Sequence, residues 1–205
     1  MPSTPPPPFP ARRGRKPKPR AVELRITITD IEPPIWRHIR VPDTYTLDQL
    51  HRVIQLLFGW LDYHLYGFRM GERRFEAPDE EAEGEDSTAT LLRDLKLTAG
   101  ARLTYTYDFG DNWVHEIVVK NLYIVTPVED DDERLLPRLY GGERAGPHED
   151  SGGPWGYQEM VEALRDPDHP EHEFYRRWAG DYDPDRFDVW LARNNLTLAA
   201  AWGAI

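Results

Sequence analysis

Apolar and polar residues alternate through much of the first 125 positions. VELRITITDI (22–31) alternates and is rich in β-branched residues, which predicts a strand. Pro33-Pro34 interrupts it, and IWRHIRV (35–41) resumes the extended pattern, so the two make a hairpin with a longer loop. The period then changes. In TLDQLHRVIQLLFGW (46–60), Leu47, Leu50, Val53, Ile54 and Leu57 fall at helical spacing. Thr46 with Gln49 forms a capping box, and Gly59 suits a left-handed C-terminal cap. YHLYGFRM (63–70) alternates again, followed by a turn at Gly71 and a short strand RRFE. TLLRDLKL (90–97) predicts a short helical turn and ARLTYTYDF (101–109) a strand with Leu103, Tyr105, Tyr107 and Phe109 on one face. GDN (110–112) supplies turn chemistry before a long partner strand, WVHEIVVKNLYIV (113–125).

The C-terminal part reads differently. A Gly-rich loop (141–153) leads into a helix at 154–165, with further helices at 170–178 and 184–193. Pro154, Pro170 and Pro184 each suit a first helical position. Tyr157, Met160, Val161, Leu164, Phe174, Trp178 and Trp190 are expected to pack onto the sheet. The order hairpin, helix, two strands, helical turn, strand predicts an α+β fold: a β-grasp-like mixed sheet with an added long hairpin and a helical C-terminal part. No internal repeat is visible. Residues 1–20 read as a disordered Pro-rich and basic tail, and 21–205 as a single domain.

Composition narrows the class. No stretch approaches eighteen apolar residues and no signal peptide opens the chain, so no membrane role and a cytoplasmic location are expected. With no Cys there is no disulfide, thiolate zinc site or Cys nucleophile. The net charge of −11 hides a split. Six basic groups (Arg12, Arg13, Arg15, Lys16, Lys18, Arg20) lie in the tail, leaving 19 basic against 36 acidic residues, or −17, in the body. Acids concentrate in 79–86 and 129–133. The body repels nucleic-acid backbone over most of its surface, while the tail attracts it. Arg12 to Pro19 resembles a loose AT-hook, with Lys16 interrupting its core; a nonspecifically sticky arm is the simpler account.

Four blocks carry a family resemblance: PPIWRHIRVP (33–42), TLDQLHRVIQLLFGWLDYHLYGF (46–68), YTYDFGDNWVHEI (105–117) and GGERAGPHEDSGGPWGY (141–157). Together with DPDHPEHEFYRRW and Phe187-Asp188, they resemble the Ri-plasmid open-reading-frame-three-like family of plasmids and insertion elements. The resemblance covers about residues 21–195. It implies a mobile-element accessory protein without a defined chemistry. The resolvase label sometimes attached to such proteins finds no support, for neither a tyrosine- nor a serine-recombinase signature is present. Many members have Cys-Pro-Pro-Glu-Asp where this chain has Gly146-Pro147-His148-Glu149-Asp150, so thiol chemistry there would be lost unless His148 substitutes.

Candidate chemistry centres on the GDN turn. If Asp111-Asn112 form a two-residue loop, Asp108 lies opposite His115, a carboxylate–imidazole pair able to bind a metal. If Gly110-Asp111 form it, Asp108 faces Trp113 and Thr106 faces His115. A structural turn with Asp side chains on its own amides is the simpler account. Asp-Phe-Gly lacks the partner motifs of a kinase. His64 shares its strand face with Tyr66 and Phe68, and His51 lies on the apolar helix face; a partly buried structural histidine explains either. Glu149 and Asp150 precede Ser151-Gly152-Gly153, which serve as a helix cap or an anion cradle. His169 and His172 are weakly metal-like in spacing. Two functions follow. One is an accessory domain contacting protein or nucleic acid, its partners being DNA through the tail or another protein. The other is a metal-assisted hydrolase using His64, Asp108, Asp111, His115, Glu149 and Asp150, with Asp108, His115 and Glu149 as ligands of a divalent metal. No cofactor is required by the sequence.

Overall fold

The computed structural model describes residues 20–79, 82–124 and 137–205. Strands β1 (Arg20–Ile28) and β2 (Trp36–Pro42) form the expected hairpin, and helix α1 (Leu47–Phe58) follows. Next come β3 (Tyr66–Met70), β4 (Arg73–Glu76), β5 (Glu85–Asp86), a 3-10 turn (Leu92–Leu95), β6 (Arg102–Tyr107) and β7 (Trp113–Ile124). Strand β8 (Arg138–Glu143) and helices α2 (Gly153–Arg165), α3 (His172–Ala179) and α4 (Val189–Ala201) complete the chain. The architecture is α+β. Its mixed eight-stranded sheet runs β5-β4-β3-β6-β7-β1-β2-β8, with β4–β5 parallel and the other pairs antiparallel.

Helix α1 forms where the capping box places it. Gln49 N–H donates to Thr46 Oγ1 (3.1 Å), Thr46 N–H donates to Gln49 Oε1 (3.0 Å), and Gly59 closes the helix in the left-handed conformation. Its apolar face, Leu50, Val53, Ile54 and Leu57, packs with Leu24, Ile26, Ile39, Phe68, Tyr105 and Ile117 in one buried core. Fully burying such a side chain stabilises by about 1.5–3 kcal/mol, so this face anchors the helix.

Arg37 projects into that core among apolar residues. Its Nε donates to the Leu57 carbonyl (2.8 Å) at the end of α1, Nη1 to Trp36 and Glu143 carbonyls (2.8 and 2.9 Å), and Nη2 to the Arg144 carbonyl (2.9 Å). The guanidinium lies between the rings of Phe187 and Phe58, 3.6 and 4.6 Å from their centroids. Burial lowers it to about 9, which leaves it charged at neutral pH. Four of the five N–H groups a guanidinium offers are thus satisfied by carbonyls, without a carboxylate partner among the described residues.

Several expectations change. The GDN turn adopts neither register. Tyr107 pairs with Trp113 and Tyr105 with His115, so residues 108–112 form a five-residue loop, Asp108 faces neither partner, and Phe109 turns out to the opposite side of the sheet, against Gly67. Loop 141–153 begins as strand β8; Gly142 sits within it because a Cβ there would lie 2.6 Å from the Phe187 ring. The acidic stretch 79–86 ends in β5, where Arg73 pairs with Glu85 and offsets its charge (2.7 Å). Stretch 129–133 lies outside the described residues. Helix α4 starts at Val189 behind an Asp188 cap rather than at Pro184. Tyr157, Met160 and Val161 are buried as expected, but Phe174 and Trp190 are 61% and 74% exposed, because α3 and α4 bury only Ala179 and Leu196. From α4, Arg193 reaches back to the Leu139 and Tyr140 carbonyls of β8 (2.8 and 2.9 Å).

His115 is wholly buried, between Phe58, Trp60 and Tyr105, and its Nδ1 donates to the Trp113 carbonyl (3.0 Å). Burial pushes the imidazole down to about 3. Below its ordinary 6.5 the unfolded chain therefore binds a proton that the folded chain refuses. Stability is expected to fall with acidification from near pH 6.5 to about 3, by up to about 1.4 kcal/mol per pH unit. Urea unfolding at several pH values should show a shallower slope for His115→Gln; equal slopes would contradict the assignment.

Candidate functional site

Four of the six candidate residues come together. His64 sits in the loop between α1 and β3, Asp108 opens the β6–β7 loop, and Glu149 and Asp150 lie just before α2. Around His64 Nε2 stand Asp150 Oδ1 at 3.2 Å, Asp108 Oδ2 at 3.6 Å and Glu149 Oε2 at 3.9 Å. That nitrogen is buried, yet none of the three oxygens meets it with hydrogen-bond geometry. One donor atom each from His64, Asp108 and Asp150 lies within 4.8 Å of the others. Ligands held at bond lengths of ~2.0–2.2 Å from one cation are spaced roughly 3–4 Å apart, so this spacing suits a shared ion.

The surrounding contacts hold these groups apart from one another and turned inward. Asp108 Oδ1 accepts the Gly110 and Asp111 amides (2.9 and 3.3 Å), which leaves Oδ2 toward His64. Glu149 repeats the arrangement: Oε1 accepts the Leu61 amide (2.8 Å) and the Tyr107 hydroxyl (3.0 Å), and Oε2 faces His64. The Tyr107 oxygen in turn accepts the Tyr63 amide (3.1 Å). Burial and the Glu149 charge raise the Tyr107 phenol, which therefore stays protonated and donates. Asp108 and Asp150 both take positive φ (53° and 55°), a conformation Asp tolerates better than most residues. Asp150 is 70% exposed and opens the cluster to solvent.

The other two candidates serve elsewhere. His115 belongs to the core, as described. Asp111 Oδ2 accepts the Gly152 amide (2.9 Å), joining the β6–β7 loop to the start of α2. Gly153 permits that approach, for a Cβ there would lie 2.4 Å from the Asp111 carbonyl oxygen. The carboxylate at the entrance of α2 is thus that of Asp111, on the amide of the N-cap residue Gly152, rather than that of Glu149 or Asp150. His51 stacks on Tyr66 (3.6 Å) and bonds the Tyr105 hydroxyl and Asp62; burial lowers its pKa. His148 lies over Trp178 (4.3 Å) with Nδ1 on the Glu149 carbonyl, so it does not stand in for a thiolate ligand of this cluster. His169 and His172 each bond nearby backbone. Arg12, Arg13, Arg15, Lys16 and Lys18 lie outside the described residues, while Arg20 opens β1.

Glu149 and Asp150 also line a cleft of about 800 Å³. Its apolar walls include Leu56, Leu61, Trp178, Phe187 and Leu191. Nothing in the sequence marked this cleft, because its walls come from α1, the 145–150 segment and the region from α3 to α4, and only folding brings them together. Tyr107 was likewise missed: strand alternation identifies it as core, not as the anchor of Glu149.

A family model described as plasmid pRiA4b ORF-3-like protein matches residues 20–190. The chain belongs to this family. It is 37% identical over 187 residues to uncharacterized protein y4hQ of Sinorhizobium fredii, covering 88% of this chain and 93% of that one. A crystal structure of a protein of unknown function, MM3350 of Methanosarcina mazei Go1, superposes with a TM-score of 0.75 at 36% identity, covering 85% of this chain and 98% of that one. The family agrees with the resemblance carried by the four sequence blocks, and these relatives are uncharacterised. Among the described residues no helix is long and apolar enough to cross a membrane.

Replacing Tyr107 with Phe removes one Glu149 partner and leaves the Tyr63 amide without its acceptor. A loss of about 1–3 kcal/mol in urea unfolding is expected. No loss would mean that the Tyr107–Glu149 bond does not hold the site.

Proposed function

We propose that this family member is an accessory domain that binds a divalent cation through His64, Asp108 and Asp150, with Glu149 beside them, and presents that ion to a partner in the adjoining cleft. The arrangement of Asp108 and Glu149 carries the reading: each commits one oxygen to backbone or Tyr107 and turns the other toward the unpartnered His64 Nε2. Carboxylates brought this close repel one another, and a cation would relieve that repulsion. One imidazole with carboxylates suits Zn(II) or Mn(II). Asp150, open to solvent, leaves room for a ligand on the ion from the cleft side. The comparisons lend the hydrolytic alternative no support.

The reading takes 21–205 as one domain. The β-grasp likeness rests on the order hairpin, helix, strand alone, for β7 lies between β1 and β6 and is antiparallel to both. DNA contact through the basic arm and a protein partner remain proposals from the sequence.

Calorimetric titration of the full chain with Zn(II) and with Mn(II) should give one site per chain. His64→Ala and Asp108→Asn should each weaken it at least about tenfold without unfolding the protein. Equal binding by these variants would overturn the reading. For the arm, Gln in place of its six basic residues should reduce retardation of duplex DNA in a shift assay at low salt; unchanged retardation would remove that role.

A further inference from the structure

The sheet has one face under α1 and one that no described helix covers. Strand alternation and register place its outward residues. Val22, Leu24 and Ile26 point inward on β1, so Glu23, Arg25 and Thr27 point outward, opposite Arg40, His38 and Trp36 of β2. The same logic turns out Arg69 (β3), Arg74 and Glu76 (β4), Arg102 (β6), Glu116 (β7), and Arg138 and Glu143 (β8). Lys120, at the bulge of β7, acts on Glu23. From β4 to β8 the face therefore carries seven basic residues, Arg25, Arg40, Arg69, Arg74, Arg102, Lys120 and Arg138, against four acidic ones. The chain as a whole has an excess of acids, so this face inverts its sign.

Two details separate this surface from an ordinary solvated one. Arg69 lies directly opposite Arg74, so like charges are paired across neighbouring strands. Such pairs destabilise a sheet. Meanwhile three of the four acids are already engaged: Glu116 with Arg102, Glu23 with His38 and Tyr123, and Glu143 with the Trp36 indole. Arg40, Arg69 and Arg74 form no ion pair among the described residues, and Arg40 Nε is buried without a hydrogen-bond partner. The second detail is aromatic. Phe109 packs over Gly67 on this side and is 53% exposed, while Tyr123 and Tyr140 are 39% and 42% exposed. Tyr140 stands beside His38 (5.1 Å between rings), and Arg25 lies over the Trp36 ring (4.0 Å).

We infer that this uncovered sheet face binds single-stranded nucleic acid. Phosphates neutralise the Arg69–Arg74 pair and Arg40, and unstacked bases lie on Phe109, Tyr123 and Tyr140. A basic surface interleaved with exposed aromatic rings is what an unpaired strand requires, since each base offers a π-face and each step a negative charge. Duplex DNA hides its bases, and an acidic protein segment would satisfy the arginines while leaving the rings without a role. The inference uses none of the cation-site residues and stands apart from that reading.

The test is fluorescence anisotropy of the full chain with a labelled oligo(dT) of about 20 nucleotides over a salt series, with a duplex and polyglutamate as comparators. Binding to oligo(dT) should exceed both and weaken with salt, by about 0.7 in the log–log slope per phosphate contact. Arg69→Thr with Arg74→Thr should weaken it at least about tenfold and flatten the slope. Tyr123→Ala with Tyr140→Ala should weaken it with the slope kept. Relieved of repulsion, free Arg69→Thr protein should melt about 1–3 °C higher at low salt, which shows that it folds. Glutamine in place of the six basic arm residues should leave most of the binding. Absence of binding, unchanged affinity in the face variants, complete loss in the arm variant, or polyglutamate binding as tight as oligo(dT) would each overturn the proposal.

Discussion

The Arg37 guanidinium holds together parts of the chain that would otherwise have no reason to meet. A helix ends with carbonyls that lack partners, and at the end of α1 one of them faces the interior. Arg37 satisfies it from β2 and uses its remaining donors on the carbonyls of residues 143 and 144, more than a hundred residues later. The same group lies against Phe187, and so ties down the segment before α4. An unpaired charge would be costly here; this one is spread over four carbonyls and two aromatic rings, each interaction being of the charge-assisted kind. The position of β8, the entry to the 145–150 segment and hence the placing of Glu149 and Asp150 all follow from it.

The strands and α1 were legible because each carries its own local signal. The Thr46–Gln49 box, the inward Leu-Ile-Val set of β1 and the alternation of β6 owe little to the rest of the chain. Strand β8 was not legible: Gly141 and Gly142 signal a loop, and Gly142 is in fact there to admit Phe187 and Arg37 from distant positions. Phe174 and Trp190 misled for the opposite reason, since a large aromatic ring on a helix suggests core, whereas α3 and α4 are anchored by small and aliphatic residues. The turn at 108–112 defeated both two-residue registers because Asp108, in the left-handed conformation, bonds the loop amides itself.

The candidate site was half legible. Residue type singled out His64, Asp108, Glu149 and Asp150, but equally His115, which differs from His64 only in what surrounds it. Chemistry at a histidine depends on whether its second nitrogen faces carboxylates or aromatic rings, and that is decided by tertiary packing. The organising parts, namely the Tyr107 hydroxyl, the Leu61 amide and the Asp111 tie to Gly152, carry no sequence signature. They are ordinary strand, loop and turn residues until the 105–117 hairpin and the 145–152 segment are seen side by side.

The grip of Arg193 on β8 bears on how copies of this protein can meet. An edge strand with free carbonyls is a template on which another chain can add, and long exposed edges promote association into fibres or swapped dimers. At one end of this sheet two edge carbonyls are occupied from within by Arg193. At the other, β5 is only two residues long and both are acidic, which repels an identical edge. Extension of the sheet from chain to chain is thereby discouraged at both ends, and the fold directs association to its faces and clefts.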